Sequence, residues 1–85
     1  MNKYLMYKYF SKLSIDDIRN LSIKYNIFLS DIELDDVYNY VKNNYEDYFN
    51  GKISYDDIIV SASKILSDDN YNKLSFLFSK YKEYI

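Results

Sequence analysis

No proline and only one glycine, Gly51, occur in the 85 residues of this chain. Tight β-hairpin turns draw on glycine for backbone angles that other residues avoid, so an all-β fold is a poor fit. Helix starts, by contrast, are abundant. Ser14-Ile15-Asp16-Asp17, Ser30-Asp31-Ile32-Glu33 and Ser54-Tyr55-Asp56-Asp57 each place an acid three residues after a serine. A serine in that position accepts a hydrogen bond from an orphan first-turn N–H, and the acid reaches back to the serine's own N–H. Acids in the first turn also suit the positive end of the helix dipole. Ser67-Asp68-Asp69-Asn70 repeats the pattern more weakly, with asparagine in the closing place.

Between these starts the apolar residues recur with the helical period. The spacing predicts helices over about 2–11, 15–25, 31–45, 55–66 and 68–83. The expected fold class is therefore all-α: a compact bundle of four main helices plus a short N-terminal one, forming one domain over 1–85. Leu21, Leu34, Val37, Val41, Ile58, Ala62, Ile65, Leu74 and Phe78 are expected to face inward. The link Ile27-Phe28-Leu29 is too apolar for a free loop and is expected to plug the core.

A domain of this length sits near the lower limit for folding alone, so a partner would help it. No apolar run approaches the length of a membrane span, and no membrane contact is expected. Residues 1–10 lack a small-residue cleavage site and read as mature chain, which points to a cytoplasmic protein. There is no cysteine, hence no disulfide and no thiol chemistry.

Histidine is absent too, which removes the usual base and the usual zinc ligand. The many Ser and Tyr hydroxyls have no His or Cys to activate them, and no glycine-rich phosphate loop occurs. The chain reads as a non-enzyme without catalytic residues, metal or cofactor. Glu46–Asp57 is similar to the twelve-residue EF-hand loop, with Asn50, Gly51, Ile53 and Ser54 in matching places. Tyr48 stands where an oxygen ligand is wanted, and Asp57 is one methylene short of the bidentate Glu that calcium needs. A degenerate EF-hand is one competing reading. Nucleic-acid binding is another. Residues 1–27 carry a net charge of +3, residues 28–60 −6 and residues 61–85 +1. Lys3, Lys8, Lys12, Arg19 and Lys24 are interleaved with tyrosines that could stack on bases. The overall charge of −2 and the single arginine disfavour it.

Tyrosine is the most distinctive residue, at 12 of 85. Exposed tyrosines supply a large contact area at low entropy cost. The expected function is protein–protein interaction or self-association. The candidate surface comprises Tyr4, Tyr7, Lys8, Lys12, Tyr40, Tyr48, Tyr55 and Tyr84.

Leu13-Ser14, Tyr25-Asn26-Ile27-Phe28-Leu29-Ser30, Lys64-Ile65-Leu66-Ser67 and Leu74-Ser75-Phe76-Leu77-Phe78 together resemble the YqfT-like small proteins of Bacillales, over about residues 11–82. The resemblance implies an all-helical domain of unknown function from a low-GC Gram-positive bacterium. It carries no site residue with it.

Overall fold

Three serine boxes close as local chemistry dictates, and each starts a helix. The computed structural model describes residues 3–81 and holds α1 (Lys3–Ser11), α2 (Ile15–Lys24), α3 (Asp31–Phe49), α4 (Tyr55–Ile65) and α5 (Asp68–Tyr81). No strand occurs among the described residues. The N–H groups of Asp17, Glu33 and Asp57 donate to the hydroxyls of Ser14, Ser30 and Ser54, each at 3.1 Å. The serine N–H groups donate back to the same three carboxylates at 2.9 Å. The backbone N–H and then the hydroxyl of Ser14 hold the Asp17 carboxyl below its ordinary pKa. Ser54 does the same to Asp57.

Two helices end on left-handed residues. Asn26, at φ 63°, lets the Ile27 N–H reach the Ser22 carbonyl at 2.8 Å and closes α2. Gly51, at φ 78°, does the same for α3 through Lys52 N–H to Asp47 O at 2.8 Å. Both are Schellman closures, satisfying carbonyls that the helix end leaves open. The α3 helix runs on past the expected end at Tyr45 because its first stop signal is Gly51, and its apolar register continues through Tyr48 and Phe49.

The long α3 is the spine. The α1, α2 and α4 helices pack on it, and α5 packs on α4. Leu13, Ile18 and Leu34 form the buried centre, with Phe10, Ile15, Leu29, Val37, Tyr38 and Val41 around them. Tyr7 meets Tyr45 and Phe49 with ring centroids 5.3 and 5.9 Å apart. Lys42 reaches over from α3 and donates to the carbonyls of Phe10 and Ser11 at 3.3 and 2.9 Å. A cation thus closes the negative end of α1. The radius of gyration, 12.3 Å, is close to the roughly 12 Å of a compact chain of this length. No helix among the described residues is long and apolar enough to cross a membrane.

Three expectations need correction. Leu21 is 44% exposed rather than core: it lines an open cleft that no neighbouring side chain fills. Phe28 does not plug the core: Ile27 is buried and Leu29 half-buried, while Phe28 is 61% exposed. Successive side chains of a non-helical segment point to opposite sides, so one of the three had to leave. Tyr7 does not look outward; it is half-buried against α3.

Candidate functional site: an apolar cleft

Each helix brings one apolar stripe inward, yet the stripes do not fill the space between them. Only seven apolar side chains among the described residues are buried: Leu13, Ile18, Ile27, Leu34, Phe49, Ala62 and Leu66. The remaining volume is a partly open cleft of about 820 Å³. That lies within the roughly 300–1,000 Å³ of ordinary binding pockets. All five helices line it: Met6, Tyr9 and Phe10 from α1, Ile18 and Leu21 from α2 with Tyr25 just past its end, Val37, Tyr40, Val41 and Tyr48 from α3, Tyr55, Ile58 and Ile65 from α4, and Leu74, Leu77 and Phe78 from α5.

Among the described residues, no Asp, Glu, Lys or Arg lines the cleft. Its two amide or aliphatic-hydroxyl residues are turned toward backbone. Ser22 Oγ donates to Arg19 O at 2.9 Å, and Asn44 Nδ2 donates to Tyr40 O at 2.8 Å. Six tyrosines, Tyr9, Tyr25, Tyr40, Tyr45, Tyr48 and Tyr55, contribute rings. Burial raises the Tyr45 phenol above its ordinary pKa, and Tyr7 and Glu46 push it the same way. Of the lining residues, only Tyr9, Leu21 and Tyr25 are also exposed to solvent. They mark the mouth, on the side of α1 and α2.

A polar tie holds the α4–α5 side in place. Glu33 is buried, and besides closing its own box it accepts the Ser67 N–H at 2.8 Å. Asn70, also buried, donates through Nδ2 to both Glu33 oxygens and to Phe28 O at 3.0 Å. Burial alone would push the Glu33 carboxyl up. The N–H groups of Ser30 and Ser67, the Asn70 amide and the Ser30 hydroxyl outweigh it, so the net direction is down.

The structure divides the expected interaction surface. Tyr40, Tyr48 and Tyr55 stand in the cleft wall. Lys8, Lys12 and Tyr4 are exposed, and Tyr7 packs on α3. Tyr84 lies outside the described residues. Sequence reasoning missed the mouth residues Leu21 and Tyr25 and the Glu33–Asn70 tie. The one available signal was Glu33 itself, an acid beside the apolar stripe of α3.

An EF-hand loop does not form. Glu46, Asp47 and Tyr48 belong to α3, so the connection between α3 and α4 spans only residues 50–54 rather than twelve residues. Asp57 is engaged by Ser54. Among the described residues no group of three or more acids is placed to hold a metal. Arg19 pairs with Asp16 at 3.3 Å, which removes one base from the basic N-terminal set that nucleic acid would need. No protein-family model, curated protein or solved structure matches the chain.

Proposed function

We propose that this protein is a non-enzymatic interaction module whose cleft receives the apolar side of a partner helix. The observation that carries the reading is a cleft lining of aliphatic and aromatic side chains with no charged side chain among the described residues. Helix-in-groove recognition uses such a surface, reading anchors at i, i+3, i+4 and i+7. The same lining argues against catalysis, since no carboxylate or amine of the described residues faces the space where a substrate would sit.

The test is a titration of the labelled chain with a helical peptide carrying a leucine stripe and uncharged glutamine flanks, followed by NMR. Shifts should concentrate at Leu21, Tyr40, Tyr55 and Leu77, and Leu21→Asp should abolish them. Shifts scattered over the outer faces, or none, would refute the cleft as the site.

A further inference from the structure

The cleft is neutral inside, but its mouth is not. Leu5, Lys8, Tyr9 and Lys12 follow the i, i+3, i+4, i+7 spacing of one helix face. Lys12 continues the last turn of α1, its N–H donating to Tyr9 O at 3.1 Å. Two exposed lysines therefore flank Tyr9, one of the mouth residues. Lys24 sits with its ammonium 5.9 Å from the Tyr25 ring centroid, which puts a third cation beside a second mouth residue. The acid of α2 nearest in register to Leu21 is Asp17, and its carboxylate is engaged with the Ser14 N–H. The α1 helix has no acid at all.

Resting on the cleft reading above, we infer that the partner is an acidic amphipathic helix: its apolar stripe enters between Tyr9, Leu21 and Tyr25, and its flanking Asp or Glu residues meet Lys8, Lys12 and Lys24. Charge at a rim selects partners and speeds encounter more than it adds affinity to the buried centre. An apolar interior with a basic rim thus selects for sign as well as for hydrophobicity. The strongly acidic middle of this chain is excluded from the role within one molecule, because α3 already forms the floor.

Three helical peptides with one shared leucine stripe and Glu, Gln or Lys flanks test this by fluorescence anisotropy on the full chain. The Glu peptide should bind at least about tenfold tighter than the Lys peptide at about 0.1 M salt, and the gap should shrink near 1 M, where the screening length falls to about 3 Å. Lys8→Glu combined with Lys12→Glu should reverse the order of the Glu and Lys peptides. Equal affinities for all three peptides would overturn the acidic partner and leave the cleft reading standing. Binding of none of them would overturn both. Tight binding of a single-stranded oligonucleotide that ignores Leu21→Asp would show that the lysines serve nucleic acid, and would overturn the inference. Sedimentation of the chain as a dimer sensitive to Leu21→Asp would assign the mouth to a second copy, and would overturn it as well.

Discussion

The Asn70 side-chain amide donates to both oxygens of Glu33, at 3.1 and 3.3 Å, across a separation of 37 residues. The same carboxylate accepts the N–H groups of Ser30 and Ser67, so one acid serves the starts of two helices. Among the described residues, the helix that α5 packs on most closely is α4, and this carboxylate ties it to the spine as well.

Glu33→Gln retains one oxygen where two are used, leaving a buried N–H without an acceptor. An unsatisfied buried donor costs about 1–3 kcal/mol. Urea denaturation should show a loss in that range for Glu33→Gln and a larger one for Glu33→Ala. A change below about 0.5 kcal/mol, the ordinary scatter of surface substitutions, would mean the tie carries no weight.

Asp17, Glu33 and Asp57 all have carboxyls held below their ordinary values of 3.8 for Asp and 4.5 for Glu. The unfolded chain therefore binds more protons in acid than the folded one. Their contribution is fully present above the ordinary values and is lost as pH falls through the lowered ones. Denaturation midpoints should stay level from about pH 7 to about pH 5 and drop below about pH 4. In Glu33→Gln the drop should be shallower; an unchanged slope would remove Glu33 from the account.

Gly51 has open space around the position a Cβ would take, so only its φ of 78° opposes a side chain. Gly51→Ala should cost about 1–2 kcal/mol, the left-handed penalty of an ordinary residue, and Gly51→Asn less. Asn26 already occupies the same region at φ 63°. Equal stability of Gly51→Ala and the parent in thermal melts would show that the closure of α3 relaxes freely.

Ala62 is a buried residue on the cleft floor. In a well-packed core an added isobutyl group overpacks and costs about 1–3 kcal/mol. Here Ala62→Leu grows into open volume, so it should be neutral or stabilising by about 1 kcal/mol. It should also weaken binding of the glutamine-flanked peptide. Destabilisation in the overpacking range would mean the floor has no room.

What the sequence disclosed and what it withheld divide by distance along the chain. The boxes at Ser14, Ser30 and Ser54 are complete within four residues, so reading them needs no fold. Ser67 looked weak because its own third residue is Asn70; the missing acid is Glu33, 34 residues away. Leu21 has the period of a core residue, and it does turn toward the other helices. Periodicity names the face but not whether a neighbour reaches it, so the cleft itself could not be read. The two lysines beside Tyr9 are visible as charges, but only the fold shows that Tyr9 itself lines the cleft.

The Lys42 closure of α1 has a consequence for synthesis. The α1 helix has no buried residue of its own, and the cation that finishes it lies 31 residues further along. The α1 helix therefore leaves the ribosome well before the cation that closes its end, which comes only with α3. At about 5–20 residues per second, that interval lasts a few seconds in every round of translation.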